Sequence, residues 1–274
     1  MKNSIAIQGI LGSYHHEATE LYFGKDNFKL LECNTFKELT SAVKLGKAHF
    51  GIIAIENSIA GTILPNYTFI TNDKLSIIGE VYMPIHHHLI ALKDTDLNNL
   101  TEVQSHPMAL LQCMNFLEAL KGVKVVESVD TALSAKIIAN NKLLNVATIA
   151  SKKAAEVYGL QILNNEIQTN KENFTRFFVV SKNEVKINNF NKASLKFSLG
   201  DKKGNLAKVL TTISKLNVNL TKIQSIPIIE KPWEYSFYID VVFDELNKYL
   251  EMKEVIHKMV QDLQILGEYI KGKE

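Results

Sequence analysis

Short polar stretches that could take part in catalysis follow strand-like runs of the sequence. The segment from Glu56 to Thr62 offers a carboxylate, an amide and hydroxyls directly after the apolar run 50–55. Because the carboxyl ends of strands in an open α/β sheet border the ligand crevice, these groups could bind a polar substrate or move a proton there. The alternative is a polar loop in which asparagine and serine only cap the next helix.

Two helix-like starts could bind an anion through their backbone N–H groups. The turn containing Gly12 and Ser13 follows the first strand-like run, and Ser105 opens a second helix in which Gln112 lies further along. The N-terminus of a helix favours negative charge. Both stretches are also ordinary helix starts, and neither has the GxGxxG spacing of a dinucleotide site.

Thr175 and Arg176 are adjacent where a polar stretch leads into an apolar strand. Neighbouring residues of a strand point to opposite faces, so only one of the two would face a cleft unless the backbone turns. The planar donor fork of arginine suits the carboxylate of a substrate. A strand whose arginine pairs with a surface carboxylate fits the same pattern.

His86, His87 and His88 form the most metal-like cluster of the sequence. In a strand predicted over 83–92, His86 and His88 would share one face and could bind zinc. No CxxC or HExxH spacing accompanies them, so we expect no metal site here.

The composition argues against several classes of protein. The 274 residues carry 31 Lys and Arg against 29 Asp and Glu, and a net charge of +2 does not support charge-driven binding of nucleic acid. The apolar runs are much shorter than a membrane-spanning helix, and no signal peptide is recognisable. The two cysteines, Cys33 and Cys113, show no disulfide pattern. We therefore expect a cytoplasmic protein that binds neither nucleic acid nor membranes.

The order of the predicted elements indicates two domains. Strand-like and helix-like segments alternate over residues 1–181, which predicts parallel βαβ units and a bilobed α/β domain. Residues 182–192 are polar and Asn-rich, as linkers are. Residues 193–274 follow the order βαββαβ of a ferredoxin-like α+β module. One continuous helix is predicted over 107–120.

Seven strings, in order along the chain, resemble the prephenate dehydratase family with its C-terminal ACT regulatory domain. They are GILGSYHHEA, AIENSIAGT, SHPMALLQC, VATIAS with KKAAEVYGL, NFTRFFVV, KKGNLAKVL and NLTKIQSIPI. The resemblance covers nearly the whole chain and implies a bilobed catalytic fold like that of type-2 periplasmic binding proteins. It also implies conversion of prephenate to phenylpyruvate, water and carbon dioxide in phenylalanine biosynthesis, without a cofactor. Because the sequence begins at the first dehydratase strand, we expect a monofunctional enzyme.

The resemblance also implies site residues. Catalytic roles are expected at five positions, which are Thr175, Asn57, Glu56, Ser105 and Gln112. Substrate-binding roles are expected at seven more, which are Gly12, Ser13, Ser58, Gly61, Thr62, Arg176 and Phe177. Thr175 is expected to hydrogen-bond or protonate the leaving hydroxyl, and whether a relay supplies its proton stays open.

The second domain is expected to bind phenylalanine as an effector between paired modules of a homodimer or homotetramer. The positions expected to form this site are Gly204, Asn205, Leu206, Ala207, Gln224, Ser225, Ile226 and Pro227. Gln224 and Ile226 stand where the family has Glu and Arg, so a charged hydrogen-bonding pair is missing. We therefore predict weaker binding of phenylalanine and weaker inhibition than the family shows.

Two other functions stay open at this point. Arogenate dehydratase acts on a substrate with an amine in place of the keto group and yields phenylalanine itself. A non-catalytic cytoplasmic protein that senses amino acids would share both folds, although the presence of Thr175, Asn57 and Gln112 favours an enzyme.

Overall fold

The computed structural model describes residues 2–25, 27–200, 202–228 and 234–273. The predicted domain ends at Met1 and Glu274 lie outside the described residues. The strands are β1 (Asn3–Gln8), β2 (Phe28–Cys33), β3 (Phe50–Asn57), β4 (Gly61–Thr62), β5 (Ser76–Pro84), β6 (His88–Ala91), β7 (Glu102–Ser105), β8 (Lys124–Glu127), β9 (Val146–Ala150), β10 (Gln161–Asn164), β11 (Phe174–Ser181), β12 (Lys192–Ser198), β13 (Asn219–Pro227), β14 (Tyr235–Val242) and β15 (Gln261–Tyr269). The helices are α1 (Tyr14–Phe23), α2 (Phe36–Lys44), α3 (Leu64–Asn72), α4 (Pro107–Gln112), α5 (Met114–Ala119), α6 (Thr131–Asn141), α7 (Lys152–Tyr158), α8 (Asn205–Lys215) and α9 (Leu246–His257).

The first lobe is built on a sheet with the strand order β2-β1-β3-β11-β5, to which β4 adds by pairing with β3. Strands β1, β2 and β3 are parallel, whereas β11 is antiparallel to both of its neighbours. The central strands are buried on both faces, which explains their nearly continuous apolar sequence. Because β11 is antiparallel to β3, its first residues lie opposite the last residues of β3.

The second lobe is built on a sheet with the order β10-β6-β9-β7-β8. Strands β7, β8 and β9 are parallel, and β6 runs antiparallel to β9. The chain enters this lobe between β5 and β6 and leaves it between β10 and β11. These two crossings produce the bilobed α/β architecture that the sequence predicts.

The third sheet has the antiparallel order β13-β14-β12-β15 and carries α8 and α9 on one face, around a separate hydrophobic core. The predicted order βαββαβ is confirmed. The opposite face of this ferredoxin-like module packs on the first lobe, where Tyr238 and Tyr269 share a core cluster with Tyr67. Gly267 permits this packing, since a side chain at that position would collide with the backbone carbonyl of Ile77.

Two predicted elements are interrupted in the structure. The prediction of one strand over 83–92 is wrong, because β5 of the first sheet ends at Pro84 and β6 of the second sheet begins at His88. The helix predicted over 107–120 is broken at Cys113, since the carbonyl of Gln112 accepts a hydrogen bond from the N–H of Thr169. Among the described residues, no helix combines the length and the apolar character needed to cross a membrane.

Candidate active site

Thr175 and Asn57 form a cross-strand pair where β11 begins and β3 ends. They lie opposite each other in the antiparallel register, and the next pair along the strands is Arg176 with Glu56. Residues opposite each other share a face of a sheet, and consecutive residues alternate between faces. The side chains of Thr175 and Asn57 therefore point to one side of the sheet, and those of Arg176 and Glu56 point to the other.

Backbone groups fix the orientation of the Asn57 amide. Its Oδ1 accepts from the N–H groups of Ile59 and Ala60 at 3.0 and 2.9 Å, and its Nδ2 donates to the carbonyl of Phe174 at 3.1 Å. The same Nδ2 lies 3.0 Å from Thr175 Oγ1. Because a backbone N–H only donates and a carbonyl only accepts, Asn57 must be the donor to the threonine. The hydroxyl proton of Thr175 is therefore directed elsewhere.

Three amide side chains form a closed ring of contacts, called the amide ring below. Asn57 Nδ2 donates to Asn173 Oδ1 at 2.7 Å, and Asn173 Nδ2 donates to Gln112 Oε1 at 2.9 Å. Gln112 Nε2 closes the ring with a long contact of 3.5 Å to Asn57 Oδ1. Since Gln112 belongs to α4 of the second lobe, the ring joins the two lobes beside Thr175.

A buried histidine extends the amide ring. His87 Nε2 lies 2.8 Å from Gln112 Oε1, and the hydroxyl of Tyr14 lies 2.7 Å from His87 Nδ1. The amide oxygen only accepts, so Nε2 carries the proton and Nδ1 accepts from the tyrosine. His87 is 3% exposed, and burial lowers its pKa to about 4. The imidazole is therefore neutral at pH 7.

Sequence reasoning did not assign His87, Tyr14 or Asn173 to the site. Asn173 begins the NFTRFFVV string, which is the signal that could have identified it. His87 lies within the metal-like histidine run, which the sequence predicts as part of one continuous strand. Within the described part of the chain, no group of three or more His, Cys, Asp or Glu side chains could hold a metal ion.

The structure does not bring Ser105 to the amide ring. Ser105 is fully buried, and its hydroxyl donates to the backbone carbonyl of Ile149 at 2.6 Å, between β7 and β9. This hydrogen bond engages the hydroxyl proton within the second lobe. The expected catalytic role of Ser105 is corrected accordingly: its contact is structural.

Glu56 and Arg176 also lie away from the amide ring, on the face of the sheet that packs on the ferredoxin-like module. Glu56 Oε1 lies 2.7 Å from the Nζ atom of Lys222 in β13. Arg176 is 4% exposed and pairs with Glu80 at 2.7 Å and with Asp240 at 2.5 Å. Strand alternation explains both positions, so the expected roles in catalysis and in substrate binding are corrected for these two residues.

Phe177 and Thr62 are likewise placed elsewhere. Phe177 is 1% exposed and packs edge-on against the ring of His15 in the core of the first lobe, so it does not line a cleft. Thr62 Oγ1 accepts from Lys222 Nζ at 2.8 Å, on the side of the ferredoxin-like module. These two expected substrate contacts are therefore also corrected.

The loop after β3 remains near the site. The hydroxyl of Ser58 donates to the carbonyl of Glu172 at 3.2 Å and accepts from the N–H of Phe174 at 2.9 Å, so it holds the start of β11 in place. Gly61 is exposed, with a φ of +81° that favours glycine. Ser58 and Gly61 shape the loop that carries Asn57.

Gly12 and Ser13 lie where the lobes touch. Ser13 is the N-cap of α1, and its side chain accepts from the N–H of His16. The carbonyl of Gly12 accepts from the hydroxyl of Ser151 in the second lobe at 3.0 Å. Gly12 has a φ of +89°, and a Cβ there would lie 3.1 Å from the Cα of Ala154. The start of α1 thus lies at the contact between the two lobes.

The expected effector positions lie at the start of α8 and on β13. Gly204 is the N-cap of α8 with a φ of +83°, and Asn205 Nδ2 donates to the carbonyl of Gly200 at 3.1 Å. Strand β13 is an edge of its sheet. On this strand, Gln224 Nε2 donates to the carbonyl of Ser225 at 2.9 Å, and the remaining residues of the segment are Leu206, Ala207, Ile226 and Pro227. The side chains of Gln224 and Ile226 are both neutral.

Comparisons with known proteins agree with this architecture. A family model described as prephenate dehydratase matches residues 5–185, and one described as ACT domain matches residues 193–248. A bifunctional chorismate mutase/prephenate dehydratase of Aquifex aeolicus is 35% identical over 99% of this chain and 74% of its own length. Arogenate dehydratase 1 of Petunia hybrida is 34% identical over 97% of this chain and 66% of its own length. The crystal structure of a prephenate dehydratase from Arthrobacter aurescens in complex with L-Phe has a TM-score of 0.87 at 24% identity, and the alignment covers 97% of this chain and 89% of that one.

Proposed function

The chain belongs to the prephenate dehydratase family, and on that premise we propose that the cleft beside Thr175 catalyses the loss of water and carbon dioxide from prephenate to give phenylpyruvate. The observation that supports this most directly is the Asn57–Thr175 hydrogen bond, which leaves the threonine O–H available to a ligand. In the reaction, the C–C bond to the ring carboxylate breaks and its electron pair enters the ring as the C–O bond to the hydroxyl breaks. Aromatisation drives both events.

The role proposed for Thr175 is hydrogen-bond donation to the departing hydroxide. Charge develops on that oxygen in the transition state, where a donor held in position is most effective. Donation from Asn57 Nδ2 polarises the threonine hydroxyl and so strengthens it as a donor. Among the described residues, no carboxyl or imidazole group hydrogen-bonds to Thr175 that could return a transferred proton. The proton that completes the water molecule is therefore assigned to solvent.

The carboxylates of the substrate require positive potential in the cleft. The start of α1 after Ser13 provides it through the helix dipole, although the N–H groups of Gly12, Ser13 and His16 donate within the protein. Arg176 does not contribute directly, because Glu80 and Asp240 already pair with its guanidinium. The reaction as proposed uses no metal ion and no organic cofactor.

Substitution of Thr175 tests this proposal. The parent protein should convert prephenate to phenylpyruvate, followed by ultraviolet absorbance. Thr175→Val keeps the shape but lacks the hydroxyl, so kcat should fall about 100-fold or more with KM within about threefold. Thr175→Ser keeps the donor and should retain kcat within about tenfold. Turnover by the valine variant within about twofold of the parent would contradict the role, since that is under 1 kcal/mol of barrier.

Arogenate is the second candidate substrate, because a relative named arogenate dehydratase matches nearly the whole chain. Arogenate loses the same two groups, and its amine lies on the side chain away from the ring. The proposed use of Thr175 and the amide ring is the same for both compounds. Ratios of kcat/KM for prephenate and arogenate, measured on one preparation, decide between them.

We further propose that phenylalanine regulates the protein through its ferredoxin-like module. The ACT match and the L-Phe complex of the Arthrobacter aurescens enzyme support an amino-acid effector. The start of α8 at Gly204 can accept the carboxylate of the amino acid through its backbone N–H groups. The neutral side chains of Gln224 and Ile226 support weak binding. Calorimetric titration with phenylalanine, with inhibition measured in parallel, tests this.

The proposal includes self-association and a cellular location. Among the described residues, strand β13 has no partner on its outer side, and its residue Ile223 is 41% exposed. Such sheet edges can pair with a second copy of the chain. A homodimer or homotetramer formed through this module is proposed, and sedimentation equilibrium measures its size.

The free, buried cysteines Cys33 and Cys113 fit the reducing cytoplasm, where amino-acid biosynthesis takes place.

A further inference from the structure

His87 is the only aromatic or imidazole side chain that hydrogen-bonds to the amide ring among the described residues. It lies in the crossing between β5 and β6, where the chain passes from the first lobe to the second. Its backbone is held as well, since the N–H of His87 donates to Gln168 Oε1 at 3.0 Å and its carbonyl accepts from the N–H of Ile167. Both backbone polar groups next to the imidazole are thus held in place.

The direction of each hydrogen bond can be followed from fixed backbone groups to His87. Asn57 is oriented by backbone N–H and carbonyl groups, so its Nδ2 donates to both Thr175 and Asn173. Asn173 must then present its Nδ2 to Gln112, which accepts through Oε1. The same oxygen faces His87 Nε2, so the ring nitrogen has to donate.

Tyr14 is the partner of the other ring nitrogen. Its hydroxyl lies 2.7 Å from His87 Nδ1 and 3.0 Å from the carbonyl of His86. Because the amides already require the proton of the neutral imidazole on Nε2, Nδ1 is the acceptor and the single phenolic proton is directed at it. With Nδ1 accepting, the proton of the neutral ring lies on Nε2 and points at Gln112 Oε1. A flipped Gln112 would place its NH₂ group against the donors on His87 and Asn173.

On the premise of the proposed function, we infer that His87 is a positioning residue that, together with Tyr14, holds Gln112 and Asn173 in place and so keeps Thr175 where its hydroxyl can reach the substrate. The imidazole does not reach Thr175 and transfers no proton. It acts through Gln112 on Asn173, which lies two residues before Thr175 and accepts from the Asn57 Nδ2 that also donates to the threonine. Loss of the Nε2 donor frees Gln112 to flip, which sets its NH₂ group against that of Asn173. The amide ring then opens at Gln112 while backbone groups still hold Asn57, so the start of β11 is positioned less firmly.

Three variants test this inference. In His87→Gln, the side-chain amide can donate from the place of the imidazole Nε2, so kcat should stay within about fivefold of the parent. His87→Leu has similar bulk without a donor, and its kcat should fall about 50-fold or more while KM changes little. Tyr14→Phe removes the hydrogen bond at Nδ1 that holds the imidazole, and it should lower kcat by about tenfold.

Nitrogen-15 NMR of histidine-labelled protein provides a readout that does not depend on turnover. The parent should show His87 protonated at Nε2 and accepting at Nδ1 between pH 5 and 8, assigned by loss of the signal in His87→Gln. Tyr14→Phe should change this pattern.

The outcomes separate this inference from the proposed function. If the parent converts neither prephenate nor arogenate, the proposed function fails, and the NMR pattern still decides the orientation of the ring. Equal kcat in the folded Gln and Leu variants, or an Nδ1-protonated His87, would overturn the positioning role. If His87→Leu does not fold, Tyr14→Phe and His87→Gln carry the test, because a merely structural role would lower their melting temperatures without changing kcat.

Discussion

The Nη1 atom of Arg176 lies 2.5 Å from Oδ2 of Asp240, which connects the strand that carries Thr175 to the ferredoxin-like module. Glu80 accepts from Arg176 and also from Lys192, whose Nζ lies 2.9 Å from Oε1. Two cations and two carboxylates are thus buried together with their charges balanced. Burial opposes the charge of Arg176, but the nearby carboxylates outweigh it, and the pKa of the guanidinium is raised above its ordinary value. The residue after the proposed catalytic threonine is therefore a domain anchor.

Removal of this cation should destabilise the protein strongly. Arg176→Met keeps most of the side-chain volume but leaves Asp240 as a buried carboxylate without its cation. Breaking one partner of a buried ion pair costs about 3–5 kcal/mol, and we expect the free energy of unfolding in urea to fall by that amount. Lys248→Met is the control, because Lys248 and Glu251 form an exposed pair worth under about 1 kcal/mol. Similar losses for the two variants would contradict the anchor role.

A second bridge should carry the response to phenylalanine. Lys222 lies on β13, two residues before Gln224, and its Nζ contacts Glu56, the residue before Asn57. Lys222→Met retains the packing of the stem and removes the charge. We expect turnover without effector to stay within about threefold and the phenylalanine concentration for half inhibition to rise at least fivefold.

Calorimetry distinguishes the outcomes of this substitution. Phenylalanine should still bind to Lys222→Met, because the bridge transmits the signal and lies outside the effector segment. Lys215→Met, at an exposed position of α8, is the control and should behave like the parent. An unchanged inhibition curve for Lys222→Met would show that the bridge does not couple the domains. A parent that does not respond to phenylalanine would instead contradict the effector proposal.

Sequence patterns predicted the architecture better than the directions of individual side chains. Alternating strands and helices are local properties, so both the bilobed α/β domain and the βαββαβ module followed from them. Strand alternation also showed that Thr175 and Arg176 face opposite sides. It did not show which side is the cleft, because that depends on the packing of the ferredoxin-like module, a contact between distant segments. The place of His87 was missed for a related reason, since a chain crossing between two sheets leaves no period in the sequence.

Buried histidines should make stability depend on pH. Burial lowers the pKa of His87 from 6.5 to about 4 and that of His15 to about 3. Between pH 6.5 and 4 the unfolded chain therefore binds protons that the folded chain does not, and the free energy of unfolding should fall as the pH falls through this window. For His87 alone the loss approaches about 3 kcal/mol at the acid end.

Urea unfolding of two variants at several pH values checks this dependence. His87→Gln cannot titrate, so its unfolding free energy should depend less steeply on pH than that of the parent, with the contribution of His15 left. His257→Gln, at an exposed position of α9, is the control for removal of a histidine outside the core. Parallel curves for the parent and His87→Gln would show that folding leaves the pKa of His87 unchanged and would contradict the prediction.

Gly267 should be intolerant of any side chain. A Cβ there would meet the carbonyl of Ile77, a backbone atom that cannot rotate away, so β15 would have to separate from β5. Overpacking of this kind costs about 1–3 kcal/mol, and we expect Gly267→Ala to lower the melting temperature accordingly. Gly122→Ala is the control for backbone strain alone. The φ of Gly122 is +75°, which disfavours a side chain, but no atom lies within 4 Å of its Cβ position. A smaller loss for Gly267→Ala than for Gly122→Ala would contradict the close packing of the domains.

Asn57→Asp replaces the Nδ2 donor of Asn57 by an oxygen and leaves the shape of the side chain unchanged. The oxygen that replaces Nδ2 would face Phe174 O, Asn173 Oδ1 and Thr175 Oγ1, which are all acceptors in the parent. The threonine hydroxyl would then turn to donate to the carboxylate and would no longer be directed at the substrate. We expect kcat to fall about 100- to 1,000-fold, as for the loss of one transition-state donor, with KM changed little.

The pH dependence of Asn57→Asp separates this explanation from a loss of folded protein. Protonation of the new carboxyl restores one O–H donor at the place of Nδ2, so the residual kcat of the variant, relative to the parent, should rise as the pH is lowered from 8 to 6. Asn173→Asp is the matched control, because it keeps an acceptor for Asn57 and loses only the donor to Gln112. Its kcat should fall less than that of Asn57→Asp, by about 50-fold as in His87→Leu, because both substitutions remove a donor to Gln112 and leave Asn57 in place. Equal losses in the two variants, without the acid rescue, would mean that the amide ring holds the lobes together and does not orient Thr175.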